Sequence, residues 1–315
     1  MEQFGIYQVS IPLPIWNDSV HCYLARTEGK WVVVDTGING HVTQETWEAA
    51  FTKHGISPGH DISRIYLTHH HADHFGFAGV MQEWTNAPLY LSDREEQLSR
   101  FTWSKEGFST FYRSCGLPEA MVSELVGNPT ASVKPITPYP RMLERIEAGD
   151  QFQIGELNFE AMLMPGHTPG HICYYNADEK ILISGDHFTK ETIPYISYHG
   201  YGDENPLATF LTTLRKMQEM EISQVWPGHG PVFHDAQERI EELVQHYQAR
   251  MAIVMDHAKG EKTAYQLAES LFQKELPTFN QWIILGETNA YLRYLVGQGE
   301  LEGFESNGIL YYKKK

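Results

Sequence analysis

Along residues 1–90, short apolar runs separated by turns set the pattern. Val20 to Leu24 and Trp31 to Asp35 read as two strands joined by the turn Thr27-Glu28-Gly29-Lys30. Gln44 to His54 has helical spacing, Ile65 to Thr68 reads as a strand, and Leu89-Tyr90-Leu91 opens the next unit. The later half repeats the theme. Gln151 to Ile154, Leu157 to Leu163, His171 to Tyr175 and Ile181 to Ser184 read as strands, followed by an amphipathic helix over Leu207 to Met220 and a short strand at Gln224 to Trp226. Strands outnumber helices but helices intervene, which predicts an α/β sandwich with sheets inside and helices outside.

Two stretches break this alternation. Residues 92–140 carry aromatics at helical spacing, including Trp103, Phe108, Phe111 and Tyr112. They read as a helical insertion that either packs on the sandwich or forms a lid lining an apolar pocket. From Asp235 the pattern turns helical: Ala236 to Lys259, Thr263 to Phe272 and Asn289 to Val296, then a hairpin around Gly297 to Glu302 and Gly308 to Tyr312. The chain is therefore expected to divide into residues 1–235 and a helical, winged-helix-like part over 236–315.

The 315 residues, 42% of them hydrophobic, are ample for one large core plus an appendage. The formal net charge of −16 is spread along the chain and disfavours nucleic acid as a partner. The expected recognition helix of the C-terminal part carries Glu287 and Arg293 and little other charge, and the one basic cluster is Lys313-Lys314-Lys315. A structural or homodimerising role suits it better than DNA reading. No apolar run approaches the roughly 18 residues of a membrane span. The N-terminal residues lack the basic start and apolar block of an export signal. Cys22, Cys115 and Cys173 lie far apart and outside any ligand motif, which fits reduced thiols and a cytoplasmic location.

The chemistry is concentrated in Thr68-His69-His70-His71-Ala72-Asp73-His74, directly after the apolar Ile65-Tyr66-Leu67. His69 and His71 sit two apart, so an extended backbone sends both imidazoles to one side. Imidazole nitrogen and carboxylate oxygen suit zinc and similar divalent metals. Further donors occur where other strands stop: His167 in Pro165-Gly166-His167-Thr168-Pro169-Gly170-His171, Asp186 after Ile181-Leu182-Ile183-Ser184-Gly185, and His229 in Val225-Trp226-Pro227-Gly228-His229-Gly230. Singly, each is an ordinary turn.

Together and in this order, the motifs resemble those of the metallo-β-lactamase-fold hydrolases, over about residues 1–235. The spacing of His167, Asp186 and His229 is closest to the glyoxalase-II-like branch, and the C-terminal part resembles the winged-helix appendage of some members. The resemblance implies an αββα sandwich. It also implies that His69, His71 and His167 hold one metal ion, that Asp73, His74 and His229 hold a second, and that Asp186 bridges them. Asp35, in Val32-Val33-Val34-Asp35-Thr36-Gly37, matches a position that supports the ligands from behind. One departure is Asp73-His74-Phe75-Gly76-Phe77, where Phe77 replaces a second glycine and is expected to reshape the cleft floor.

The resemblance implies a metal-dependent hydrolase with two divalent ions, zinc ahead of manganese or iron. A metal-bridging hydroxide would attack an ester, thioester or lactone carbonyl of a small molecule, and Asp73 would be catalytic as well as a ligand. Tyr195, Tyr198 and His199 are expected near the substrate, as are the insertion aromatics. Two alternatives stay open: a metal-dependent endoribonuclease, and a catalytically silent binding or regulatory protein.

Overall fold

A computed structural model of the chain describes residues 1–13, 18–100, 105–127, 137–271 and 278–315. Its first sheet has six strands in chain order: β1 (Ile6–Leu13), β2 (Asp18–Thr27), β3 (Lys30–Val34), β4 (Ile62–Tyr66), β5 (Leu89–Leu91) and β6 (Leu143–Arg145). The first three pair antiparallel and the last four parallel. The second sheet holds β7 (Gln151–Ile154), β8 (Leu157–Leu163), β9 (Ile172–Asn176), β10 (Ile181–Gly185) and β11 (Gln224–Pro227). All its pairs are antiparallel except β10 with β11.

Period-two burial explains why the two sheets stack. Val32 and Val34 of β3 face inward, with Tyr23, Tyr66, Ile181, Ile183, Phe159 and Trp226, to form the layer between the sheets. Val33 points the other way, into a cluster with Trp47, Phe51, Phe75 and Met81 from the helices outside the first sheet. On the opposite side Leu182 and Val225 meet Leu207, Phe210, Leu214 and Leu243. Strands covered on both faces read as continuous apolar runs, hence Trp31-Val32-Val33-Val34 and Ile181-Leu182-Ile183. The architecture is the expected αββα sandwich.

Three helices, Asp93–Ser99, Lys105–Ser114 and Glu119–Gly127, occupy the stretch read as an insertion. Their buried Tyr112, Val122 and Leu125, with Cys115 from the turn between two of them, pack in one cluster with Leu285, Ala290, Tyr291 and Tyr312 near the C-terminus. The C-terminal residues form helices Ala236–His257, Ala264–Leu271 and Thr278–Gly297 and a small sheet of β12 (Lys262–Thr263), β13 (Leu301–Ser306) and β14 (Ile309–Lys314). The β13–β14 turn is Asn307-Gly308, both residues with positive φ (51° and 76°), the geometry that suits a two-residue hairpin. Among the described residues, no helix is long and apolar enough to cross a membrane.

Asp35, the motif loop after β4, the loop after β8, Asp186 and His229 all follow the carboxyl ends of their strands, at one edge of the sandwich. The sheets are laced together there. Ile172 donates its backbone N–H to Thr68 O at 2.9 Å, Tyr174 its hydroxyl to Leu67 O at 2.9 Å, and Tyr23 its hydroxyl to Pro227 O at 2.8 Å. Beneath them Trp47, fully buried, donates its indole N–H to Thr36 O at 2.9 Å. Thr36 in turn holds His74 O through its backbone N–H and its hydroxyl, each at 2.8 Å. Replacing Trp47 with Ala removes both the packing and this prop; chemical denaturation should show a loss of about 3–5 kcal/mol.

Candidate metal centre

Asp35 organises the site from behind. Its φ of +57° puts a non-glycine residue in the left-handed region, a strained backbone that Asp tolerates better than most. Its Oδ1 accepts from Thr68 N at 2.8 Å, and its Oδ2 from Thr68 Oγ1 at 2.8 Å and from His74 Nδ1 at 2.8 Å. Because the Thr68 hydroxyl spends its hydrogen on Asp35, His69 Nδ1 must donate to Thr68 Oγ1 across their 2.9 Å contact.

The same logic orients the other rings. His167 Nδ1 donates to Tyr195 O at 3.0 Å, and His229 Nδ1 to Ser19 O at 3.1 Å. His69 and His167 thus anchor Nδ1–H on the protein and leave Nε2 as a bare lone pair, while His74 and His229 anchor Nδ1–H in the same way and turn Nε2 toward the carboxylates of Asp186 and Asp73. The Nε2 atoms of His69 and His74 are buried without a hydrogen-bond partner, and so is Asp186 Oδ1. His74 Nε2 and Asp186 Oδ1 lie 3.0 Å apart without hydrogen-bond alignment.

Two groups result, each with its donor atoms within 4.8 Å of one another: His69, His71 and His167, and Asp73, His74, Asp186 and His229. They adjoin, since His167 Nε2 is 3.0 Å from His71 Nδ1 and 3.7 Å from Asp186 Oδ2. His229 Nε2 lies 3.2 Å from Asp73 Oδ2 and 3.5 Å from Asp186 Oδ1. All seven donors expected from the sequence are therefore gathered at one edge. Burial lowers the basicity of His69, His71 and His167, so they are neutral donors near pH 7. Burial acts the same way on His74 and His229, but Asp186 chiefly, with Asp35 and Asp73 for His74 and Asp73 for His229, outweighs it; His229 is pushed up to about 10. That field draws positive charge, and the unpartnered lone pairs fit a divalent cation in each group.

Gly228 is required by close approach: a Cβ there would lie 2.5 Å from Asp186 Oδ1 and 2.7 Å from His74 Cε1. Two further residues were not singled out from the sequence. Glu95, fully buried, accepts Gly170 N at 2.6 Å and His70 N at 3.0 Å and pairs with His70 Nδ1, so it clamps the two histidine loops together. The pattern Ser92-x-x-Glu95 reads as a capping box, which masks this role; Ser92 does cap its helix. His171, also buried, stacks on His69 with ring centroids 4.8 Å apart and has an unpartnered Nε2.

The open side is a cavity of about 200 Å³ lined by Asp73, His167, Asp186 and His229 together with Leu13, Asp18, Thr189, Thr192, Ile193, Pro194 and Tyr195. Of the expected substrate contacts, Tyr195 lines it. His199 lines a smaller cavity of about 60 Å³ behind His71 and His167, stacked on Trp282 at 4.1 Å. Tyr198, Phe108, Phe111 and Tyr112 are not among the described residues lining that cavity. Tyr112 is buried and accepts from Trp282 Nε1 at 2.6 Å, Phe108 stacks on Tyr112, and Phe111 meets the edge of Tyr198. Apolar packing against the C-terminal helices claims these side chains. Trp103 lies outside the described residues. Phe77 is buried in the helix–sheet core against Trp84, so it does not shape the cleft floor.

Residues 15–229 match the family model of the metallo-beta-lactamase superfamily. The chain belongs to that superfamily. Its relatives include proteins named probable metallo-hydrolases. The lactamase-like protein adaB of Aspergillus niger is 24% identical over 234 residues, 74% of this chain, which spans only 56% of that protein's length. The probable metallo-hydrolase YqjP of Bacillus subtilis is 24% identical and aligns over 98% of this chain and 97% of its own. A metallo-beta-lactamase family protein of Thermus thermophilus, TTHA1429, superposes with a TM-score of 0.84 at 26% identity, covering 99% of each chain.

Asp35→Asn takes away the acceptor that fixes His74; competition with a chelator should show metal affinity about 10–100-fold weaker. Glu95 yields a pH prediction. Burial alone would raise its carboxyl, but His70 outweighs it and pulls it down to about 2 from 4.5. The stability this confers is fully present above about pH 4.5 and lost as pH falls toward 2, a difference of roughly 3 kcal/mol. Denaturation of the wild type should therefore weaken more steeply across that window than denaturation of Glu95→Gln.

Proposed function

We propose that the protein hydrolyses an ester, thioester or lactone carbonyl of a small molecule at a centre of two divalent ions. Zinc suits the nitrogen-rich donor set best, with manganese and iron accepted by the same donors. The supporting observation is the pair of adjoining donor groups, His69/His71/His167 and Asp73/His74/Asp186/His229, opening on one small cavity. In this reading Asp186 is shared between the two groups. Divalent metal, when bound, supplies Lewis acidity toward a carbonyl oxygen and makes water acidic enough to attack at neutral pH.

The chain supplies the rest. Asp73 lines the cavity and keeps part of its side chain, 19%, exposed, so its carboxylate can orient the attacking water and accept its proton. Tyr195 works through its backbone: its carbonyl fixes His167, and its hydroxyl is bonded to His199 Nε2 and Ile283 O, each at 3.0 Å. Leu13, Ile193 and Pro194 give the cavity an apolar wall suited to a carbon skeleton.

An endoribonuclease fits less well. Among the described residues no Lys or Arg lines the cavity, and Asp18 sits at it instead. Arg293 pairs with Glu204 at 2.6 Å and covers the Tyr198 ring at 3.7 Å, so it is engaged within the fold. A silent binding protein would more usually lack a donor. We read residues 236–315 as a structural, winged-helix-like unit, and the three free, buried cysteines as suited to the cytoplasm.

Metal-loaded protein should turn over members of a panel of thioesters, esters and lactones, and Asp73→Asn should lower kcat/KM by at least about 100-fold. Turnover of short RNAs alone would overturn the substrate class. Equal activity of the variant would remove Asp73 from the mechanism.

A further inference from the structure

The strip Thr189 to Tyr195 is the wall between two cavities. On one side it faces the candidate metal ligands. On the other, Ile193, Pro194 and Tyr195 line a second cavity of about 340 Å³ whose remaining lining, among the described residues, is His246, Arg250 and Glu287. His246 and Arg250 lie four apart on the helix Ala236–His257 and so share a face, and Glu287 comes from the helix Thr278–Gly297.

The wall is held rigidly from the same helices. Buried Arg239 donates to Thr189 O at 2.9 Å and to Thr192 O at 2.7 Å. Tyr247 donates its hydroxyl to Pro194 O at 2.6 Å. The two cavities are therefore fixed relative to one another, and Ile193, 37% exposed, presents an apolar ridge common to both.

The polar side of the second cavity carries opposite charges. Arg250 and Glu287 line the same cavity, and the Tyr291 hydroxyl donates to Glu287 Oε1 at 2.9 Å. A lone anion placed beside Arg250 would also face Glu287, and a lone cation beside Glu287 would face Arg250. The group suited to both has an acceptor next to a donor. A secondary amide is such a group: its carbonyl takes a guanidinium N–H, and its N–H gives to the carboxylate.

We propose that this second cavity binds an amide carried by the substrate, joined through an apolar spacer across Ile193 and Pro194 to the carbonyl that reacts in the first. The assignment rests on the hydrolase reading given above. Arg250 and Glu287 are then specificity-determining residues that touch the substrate away from the reacting atoms.

The test is calorimetry on the full-length, metal-loaded protein with two probes. One is a thiol whose alkyl chain carries an acetamide; the other replaces the amide with methylenes. The ratio of their affinities should fall about tenfold in Arg250→Met and in Glu287→Met. Thermal melting reports whether each variant folds; if either does not, Arg250→Lys or Glu287→Gln should lower the same ratio by a smaller factor. A ratio unchanged by the substitutions overturns the assignment. So does tighter binding of a third probe ending in a free α-amino acid, which would point to a zwitterion. Probe discrimination without turnover of any ester, thioester or lactone would support the cavity assignment while removing the carbonyl class proposed above.

Discussion

One carboxylate, Asp35, takes three hydrogen bonds at the end of β3, and the geometry of the metal edge depends on it. Two of them bind Thr68, the first residue of the histidine loop; the third fixes His74. Through the Thr68 hydroxyl the same carboxylate also decides which nitrogen of His69 is bare. A single buried charge thereby orients His74 and sets the tautomer of His69, neighbouring rings with centroids 4.2 Å apart that belong to different donor groups. Its left-handed backbone is the local cost of bringing the carboxylate there.

The two donor groups differ in character. His69, His71 and His167 form an all-nitrogen set whose burial keeps it neutral. The set around Asp73 and Asp186 is anionic and concentrates positive charge on His74 and His229. Softer and harder preferences can therefore coexist a few ångströms apart, and occupancy of the two groups need not follow the same concentration dependence. The second set depends on the turn at Gly228, where any side chain would intrude on Asp186 and His74.

Much of this was legible in the amino-acid order. The valine run of β3 and the Ile181–Ser184 run announced strands covered on both faces, and each donor followed the end of such a run. β1 was not anticipated although the alternation of Val9, Ile11 and Leu13 with Gln8 and Ser10 is itself a strand pattern; Pro12, a poor strand residue, obscured it. Glu95 was hidden by its local grammar: in a charged helical segment it reads as a cap or a solvated face, and only the fold brings it against Gly170, 75 positions away in sequence. The aromatics of the insertion show the converse. Their spacing signalled an apolar face correctly, but spacing cannot say whether a ligand or a helix will cover it, and here Trp282 and its neighbours do.

The grip of Arg239 and Tyr247 on the strip beside the metal edge bears on modularity. The stretch recognisable as the superfamily ends at residue 229, yet both gripping side chains come after it. A minimal fragment cut at that limit would retain every donor while removing the Arg239 and Tyr247 bonds to three carbonyls of the cleft wall. Grafting a different tail onto this sandwich would amount to redesigning the mouth of the cleft.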